Sequence, residues 1–208
     1  MLKPNYRFLA ALSLTFLLSG CATKPAPMVM DSESAVPGTQ VTRKGQELPL
    51  TGTGIEVGHK LPETELVDAT TMKPVDLTSY QGSVLFLSIV PSIDTKVCEA
   101  QSHYLGEEGD KLPAEVKRIT VSRDTPFAQA RFAKEAKLED VQYLSDYKEG
   151  AFGRSLGLLM DGPRLLARSV IIVDKQGIVQ YIQVVPEITH LPDMEEAFSK
   201  AATLNNLP

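Results

Sequence analysis

Cys98 is the residue whose type and position together suggest a reactive site. It follows a continuous apolar run at residues 84–90 and falls in the first turn of a helix predicted to begin near Thr95. The unpaired N–H groups and the positive end of a helix favour a thiolate, which is the nucleophilic form of cysteine. The alternative is a buried cysteine that acts only as a small apolar residue, and position alone does not separate the two.

Three polar residues could accompany such a thiolate. Arg168 stands at the start of an apolar stretch, where a guanidinium needs a partner, although a solvated charge at a strand end is the alternative. Thr95 lies three residues before Cys98 and has the residue type of a helix N-cap. Arg131 is a second candidate cation, which we expect to form an ion pair on its own helix.

The elements that must position these residues alternate between strands and helices. Apolar patterns predict strands at residues 84–90, 118–122, 141–144, 169–174 and 179–185. The last two strands flank Gly177 and are predicted to form an antiparallel hairpin, and a smaller hairpin is predicted at residues 41–50. Helices are predicted from Thr95 to about Glu108, after Asp124-Thr125-Pro126, where a capping residue is followed by a proline in the first turn, and from Pro192 toward Ala202. This order indicates an α/β fold whose central sheet mixes strand directions.

The segment around Cys98 resembles the active-site signature of the peroxiredoxins. Residues 91–98 read PSIDTKVC, with Pro91, Thr95 and Cys98 at the family's spacing, in the form typical of the thiol peroxidase subfamily. The similarity continues through residues 121–132, 161–163, 167–168 and 187–193. It implies a thioredoxin-like fold, in which helices flank a central mixed sheet and a β-hairpin stands at the amino end. It also implies the two-electron reduction of hydrogen peroxide or organic hydroperoxides by a thiol.

The resemblance assigns roles to single residues. Cys98 is implied to be the peroxidatic cysteine, Thr95 to orient the peroxide, Arg168 to supply fixed positive charge and Pro91 to shield the pocket.

Ionisation of the thiol explains little of the rate of peroxide reduction. Lowering a thiol pKa from about 8.5 to about 6 raises the thiolate fraction about 30-fold, but nucleophilicity falls about 10–18-fold. Positioning of the peroxide and stabilisation of charge as the O–O bond breaks must supply the rest, without a metal or other cofactor.

One position departs from the two-cysteine members of that family. Their resolving cysteine follows an Arg-Phe pair, whereas here Arg131 and Phe132 are followed by Ala133, and the second cysteine of the chain is Cys21. We therefore predict a one-cysteine cycle in which an external thiol, whose identity the sequence does not give, reduces the sulfenic acid of Cys98. The connection at residues 164–167 is also shorter than is usual in the family, so the sequence leaves the placement of Arg168 open.

The first 40 residues predict export and anchoring. A basic start, an apolar run at residues 8–18 and small residues at 19–20 form the pattern of a secretory signal, so residues 1–20 are predicted to be a lipoprotein signal peptide. Residues 18–21, LSGC, resemble a lipobox, which implies that Cys21 carries the lipid. Residues 21–40 are predicted to be a flexible tether and residues 41–208 the domain. The implied location is the bacterial cell envelope, with the lipid anchor at the periplasmic face of the outer membrane.

Composition excludes several classes of function. The chain has 208 residues, 43% of them apolar, which is enough for one domain with a core. Its net charge of −5 argues against a nucleic-acid partner. Two cysteines and three dispersed histidines form neither a disulfide scaffold nor a metal-ligand cluster. The expected partners are a peroxide, an external thiol, the membrane that holds the anchor and, from the resemblance alone, a second copy in a homodimer.

Two further functions remain open at this stage. A degenerate peroxiredoxin could act as a non-enzymatic redox sensor or binding module, and the missing resolving cysteine motivates this hypothesis. A disulfide oxidoreductase on the same fold is the other, and the lack of a C-x-x-C motif argues against it.

Overall fold

The computed structural model describes residues 28–138 and 140–207. The strands are β1 (Gln40–Arg43), β2 (Gln46–Thr51), β3 (Glu65–Asp68), β4 (Pro74–Asp76), β5 (Leu85–Ile89), β6 (Lys117–Ser122), β7 (Gln142–Ser145), β8 (Leu159–Met160), β9 (Ser169–Val173) and β10 (Val179–Val184). The helices are α1 (Lys96–Glu107), α2 (Pro126–Ala136), α3 (Ala151–Ser155) and α4 (Met194–Asn205). Two short 3₁₀ helices cover Leu77–Tyr80 and Gly109–Lys111.

The central sheet has seven strands of mixed direction, which confirms the predicted sheet type. Its order is β10-β9-β5-β6-β7-β3-β4. The pairs β5–β6 and β6–β7 are parallel, and the other neighbours are antiparallel. The predicted terminal hairpin is the β9–β10 pair, which turns at Gly177 with a positive φ of 81°. Residues at the carboxyl end of β5 therefore lie at the centre of the sheet, beside the start of β9.

Side chains alternate between the two faces of this sheet. On β5, Leu85, Leu87 and Ile89 enter one buried cluster, which also contains Phe152 of α3. Phe86 points the opposite way, into a second cluster that includes Leu105 of α1 together with apolar residues of α4. A strand buried on both faces needs a continuous apolar run, as residues 84–90 have. The alternation leaves Ser88 on the face that α1 covers.

The amino-terminal hairpin forms a second, smaller sheet. Strands β1 and β2 pair antiparallel, as predicted, and β2 also pairs with β8. The sequence pattern did not predict β3, β4, β8 or α3, each of which is two to five residues long. Elements this short carry too little periodicity to be distinguished from loops.

The structure corrects part of the predicted tether. Residues 28–36, here called the amino-terminal strap, run along the segment between β10 and α4. Backbone hydrogen bonds join Asp31 N–H to Leu191 O at 2.9 Å and Ala35 N–H to Val184 O at 2.8 Å. The Asp31 carboxylate also lies 3.0 Å from Nδ1 of His190. These contacts are long-range, so the local sequence of the strap gave no sign of them.

The predicted signal peptide and Cys21 lie outside the described residues. Within residues 28–138 and 140–207, no helix has both the length and the apolar character needed to cross a membrane.

Candidate active site

Cys98 lies in the first turn of α1, at the carboxyl end of the central strand β5. The chain leaves β5 after Ile89, and Val90 N–H donates to Val121 O at 3.0 Å, which keeps the start of the loop on the sheet. Thr95 caps the helix, because its Oγ1 accepts a hydrogen bond from Cys98 N–H at 3.4 Å. The predicted start of this helix and the capping role of Thr95 are thereby confirmed.

Arg168 contacts the sulfur directly. Its Nη2 lies 3.2 Å from Sγ of Cys98, and the two side chains are 1% and 0% exposed. A buried guanidinium needs partners for its remaining nitrogens. Nε donates to Ile188 O at 2.9 Å and Nη1 donates to Gln101 Oε1 at 2.7 Å. The charge is therefore fixed in direction and stabilises negative charge on the sulfur.

Backbone hydrogen bonds fix the short connection at residues 164–167 before Arg168. Arg164 N–H bonds Met160 O at 3.1 Å, and Arg164 takes a left-handed φ of 59° that closes the turn. Ala167 N–H then bonds Leu158 O at 2.7 Å. These bonds fix the start of β9, so that Arg168, the residue before this strand, enters the core beside Cys98. The turn thus determines the placement of Arg168, which the sequence left open.

A cavity of about 430 Å³, here called the active-site cavity, opens above the cysteine. Pro91, Thr95, Val97 and Arg168 are among the residues that line it. Cys98 itself does not reach the surface, and its sulfur packs in a small cluster with Val90, Ile93 and Phe132. The structure thus brings the four residues of the predicted site together, with the sulfur beneath the cavity floor.

Gln101 is a residue of the site that the sequence analysis missed. It lies one turn after Cys98, is fully buried, and accepts the hydrogen bond from Arg168. Its Nε2 donates in turn to Ser88 Oγ on β5 at 2.9 Å. The signal in the sequence is a pair of polar residues, Ser88 in a buried strand and Gln101 on the buried side of a helix. Buried polar side chains need hydrogen-bond partners, and these two residues supply partners to each other.

Thr125 and Asp124 have different roles at the start of α2. The N-cap of α2 is Thr125, whose Oγ1 accepts from Ala128 N–H at 3.4 Å. The Asp124 carboxylate instead accepts from Ser92 Oγ and from Ile93 N–H, both at 2.8 Å. It therefore fixes the loop between β5 and α1.

Arg131 does not belong to the site. Its side chain is exposed on α2, and no carboxylate of the described residues lies within ion-pair distance of it. The expectation of an ion pair on its own helix was wrong. An exposed arginine loses side-chain entropy when it is fixed, so a solvated position costs less.

Glu187 joins two walls of the cavity. Its carboxylate accepts hydrogen bonds from Thr42 Oγ1 at 3.0 Å, from Gly45 N–H at 3.2 Å and from Thr189 Oγ1 at 2.7 Å. Burial by itself raises the pKa of Glu187, but the bonds from Thr189 and from the backbone of Lys44 and Gly45 outweigh it and hold the pKa at about 2. The amino-terminal hairpin is thereby tied to the segment whose Ile188 carbonyl holds Arg168.

Comparison with known proteins identifies the family. The Redoxin family matches residues 56–198. A thiol peroxidase of Halalkalibacterium halodurans is 40% identical over 161 residues, which cover 77% of this chain and 96% of the relative. The chain belongs to the thiol peroxidases. A thiol peroxidase of Bacillus subtilis is similar at 36% identity, over 79% of this chain and 98% of the relative.

Solved structures confirm the thioredoxin-like peroxiredoxin fold. A peroxiredoxin-like protein from Aquifex aeolicus superposes with a TM-score of 0.75 at 32% identity, covering 82% of this chain and 99% of that one. A thiol peroxidase from Chromobacterium violaceum, at 19% identity, has the same fold with a TM-score of 0.66 over 79% of this chain and 97% of that one. The protein is therefore a peroxiredoxin-type peroxidase, an enzyme that reduces peroxide with electrons from a thiol.

Proposed function

We propose that this thiol peroxidase works by a one-cysteine cycle centred on Cys98. The observation that carries the proposal is the hydrogen bond of 3.2 Å from the buried Arg168 guanidinium to the Cys98 sulfur. A fixed cation at this distance stabilises the thiolate and remains close to the oxygens when a peroxide binds. Hydrogen peroxide and organic hydroperoxides are the proposed substrates.

In the first step, the Cys98 thiolate attacks one oxygen of the peroxide. An S–O bond forms, the O–O bond breaks, and the second oxygen leaves as hydroxide or alkoxide and takes up a proton. The sulfur is oxidised to sulfenic acid and the peroxide is reduced to water or an alcohol. Thr95 supports this step because its hydroxyl accepts from Cys98 N–H and still has its own proton to donate to a peroxide in the cavity.

In the second step, an external thiol reduces the sulfenic acid. The thiol forms a mixed disulfide with Cys98 and water leaves, after which a second thiol releases the reduced cysteine and carries away a disulfide. The support for an external donor is that Ala133 stands where two-cysteine relatives are expected to have a sulfur, and that Cys21 is proposed to be lipidated.

Peroxide must reach a sulfur that lies beneath the cavity floor. Thr95 and Val97 precede Cys98 in the chain and line the cavity, as does Pro91. We expect rotation of the Val97 side chain to open a path wide enough for a hydroperoxide group. Pro91 then shields the site from bulk water between turnovers, in agreement with the role that the peroxiredoxin resemblance implies.

Mass spectrometry tests the one-cysteine cycle. The chain from residue 21 with Cys21→Ser should react with one equivalent of peroxide and gain the mass of one oxygen atom. The matched variant Ala133→Cys should instead lose two hydrogens, as an internal disulfide forms after local unwinding of α1. Cys98→Ser should consume no peroxide. Oxidation of Cys98 no faster than that of free cysteine would contradict the enzyme cycle and favour the binding module.

We also propose that the mature protein is a lipoprotein of the bacterial cell envelope, held by lipid on Cys21 at the periplasmic face of the outer membrane. The support is the order of basic residues, apolar run and LSGC at residues 1–21. Cys21→Ala should move the protein from the membrane fraction to the soluble fraction. The proposed homodimer is tested separately by the mass of the soluble form in solution.

A further inference from the structure

Exposed apolar side chains are concentrated in the amino-terminal strap. Nine large apolar side chains of the described residues are exposed, and four of them lie in the strap, namely Met28, Val29, Met30 and Val36. The other five are separated from one another in the chain. Met28, Val29 and Met30, here called the apolar ridge, are consecutive and are 45%, 52% and 51% exposed. Contiguous exposed apolar side chains indicate an interaction surface, whereas single ones do not.

The backbone of the apolar ridge is fixed, so the exposure of its side chains is a property of the fold. Leu191 N–H donates to Val29 O at 2.8 Å, and Asp31 N–H donates to Leu191 O at 2.9 Å. Between these two bonds, Met30 pairs with Leu191 in an isolated parallel bridge. Apolar side chains that stay in water contribute no hydrophobic stabilisation to the segment that carries them. The ridge is therefore available to a second apolar surface.

The position of the apolar ridge in the chain indicates which surface covers it. Cys21, the proposed site of the lipid, is seven residues before Met28. Because a chain reaches at most about 3.6 Å per residue, the Cα atoms of Cys21 and Met28 are at most about 25 Å apart. A lipid that is attached to Cys21 and inserted in a bilayer therefore holds the ridge close to the surface of that bilayer.

The charges beside the apolar ridge do not attract anionic lipids. The strap contains no Lys or Arg, and its charged residues are Asp31 and Glu33. Glu33 is exposed, and the Asp31 carboxylate lies 3.0 Å from Nδ1 of His190. Contact with a membrane must therefore come from burial of apolar side chains and not from electrostatic attraction to the headgroups.

We propose that the apolar ridge inserts into the headgroup layer of the bilayer that holds the Cys21 lipid. The lipid is the anchor, and Met28, Val29 and Met30 form a second contact, so the domain rests on the membrane in one orientation. The inference rests on the proposed lipid anchor and assigns the surface of the domain that faces the membrane. A second copy of the chain is the alternative occupant of the ridge, but nothing holds it as close as the lipid holds the bilayer.

Tryptophan fluorescence tests this contact, because the chain contains no tryptophan. Met30→Trp places a fluorophore in the apolar ridge. Met72→Trp is the matched control, because Met72 is also exposed and lies between β3 and β4, at the edge of the central sheet opposite to β10. Both chains begin at residue 21, carry Cys98→Ser, and are coupled through Cys21 to a maleimide lipid in phosphatidylcholine vesicles.

The ridge and the control should respond differently to the vesicles. The emission of Met30→Trp should shift to shorter wavelength and be quenched by lipids with brominated acyl chains, whereas that of Met72→Trp should stay as in buffer. Adding Met28→Ser and Val29→Ser to Met30→Trp should reduce both effects. Addition of phosphatidylglycerol should not increase them. Equal responses at the two positions, or an increase with phosphatidylglycerol, would overturn the inference.

Two further outcomes separate the docking surface from its alternatives. A shift of the Met30→Trp emission that occurs without vesicles and grows with protein concentration would assign the ridge to a second copy and overturn the membrane contact. Because the coupling is chemical, the test does not depend on lipidation in the cell. If the cellular protein needs Cys21 to reach the membrane fraction but Met30→Trp is not quenched, the lipid anchor stands and the docking surface is wrong. If Cys21→Ala leaves the cellular protein in the membrane fraction, the proposed anchor itself is wrong.

Discussion

At the scale of single residues, the site depends on a charge that is buried and fully paired. Removing one partner from a buried charge is costly, because the remaining group is left in a poorly solvating environment. Arg168 uses Ile188 O, Gln101 Oε1 and the Cys98 sulfur as its three acceptors. Gln101 is the acceptor that comes from the same helix as the cysteine. It is therefore a positioning residue, which acts on the reaction through Arg168.

Gln101→Met tests this role. Methionine keeps the size of the side chain but offers no oxygen to Arg168, so the guanidinium loses one of the hydrogen bonds that orient it. We expect the rate constant for oxidation of Cys98 by hydrogen peroxide to fall about tenfold, which corresponds to about 1.4 kcal/mol in the barrier. The measurement is a single-turnover assay of sulfenic acid formation.

Two control variants separate positioning from packing. Gln101→Glu keeps an acceptor for Arg168 and should recover part of the lost rate. Gln129 is another fully buried glutamine, whose hydrogen bonds go to Ser122 and Leu144 and not to Arg168 or Cys98. Gln129→Met should lower stability while the oxidation rate stays near that of the parent. A rate loss of equal size in both methionine variants would show that Gln101 acts only through packing.

At the scale of elements, two helices begin in the same way but only one leads into the site. Thr95 caps α1 and Thr125 caps α2, each by accepting a hydrogen bond of 3.4 Å from the N–H three residues later. The contributions of these caps to helix stability should therefore be similar. The difference is that Thr95 lines the active-site cavity next to Cys98.

Thr95→Val and Thr125→Val form a matched pair. Each should lower the free energy of unfolding by about 1 kcal/mol, because valine cannot accept the capping hydrogen bond. Thr95→Val should in addition slow peroxide reduction by at least tenfold, whereas Thr125→Val should not. Thr95→Ser keeps the hydroxyl and should retain most of the rate. Equal activities of the two valine variants would contradict a role for the Thr95 hydroxyl beyond capping.

At the scale of the whole molecule, hydrogen bonds at Glu187 tie the small amino-terminal sheet to the segment that holds Arg168. The pKa of Glu187 is about 2 in the folded protein, below its ordinary value of 4.5. The stability that this carboxylate contributes is present above pH 4.5 and is lost as the pH falls through 2. Because the side chain is partly exposed, solvent screening keeps the contribution modest.

Glu187→Gln should therefore lower thermal stability at neutral pH and change its pH dependence. The difference in Tm between the parent and the variant should be largest above pH 4.5 and should shrink as the pH falls through about 2, because Glu187 becomes protonated there and is then uncharged like glutamine. Thermal unfolding followed by circular dichroism across this range measures it. A difference that is independent of pH would contradict the assigned ionisation.

The amino-terminal strap extends the fold beyond the predicted domain boundary. Its hydrogen bonds to Val184 and Leu191 and its contact with His190 offset the entropy of ordering the segment. Removal of residues 28–36 should lower the free energy of unfolding by about 2 kcal/mol, or Tm by about 4–8 °C. The comparison is between chains that begin at residue 28 and at residue 37. Identical Tm values would show that the strap contributes nothing to stability.

The sequence by itself determined the central strands, the terminal hairpin, the helix that begins at Thr95 and the identity of Cys98, Thr95 and Arg168 as candidates. These follow from local patterns, since a buried strand, a cap and a turn leave signals within a few residues. The same apolar pattern predicts a buried face of Val97, Ala100, Tyr104 and Leu105 on α1. The structure confirms Leu105 as buried, but the other buried residues of α1 are Cys98, Gln101 and Ser102.

Only the tertiary structure decided which polar groups meet. The burial of Gln101 is explained only by its partners Ser88 and Arg168, which satisfy its polar atoms. These partners lie 13 and 67 positions away in the chain, so the local sequence does not indicate them. The role of Asp124 and the attachment of the strap are long-range in the same way. Local sequence does not encode the partner of a polar side chain, since that partner is set by how strands and helices pack.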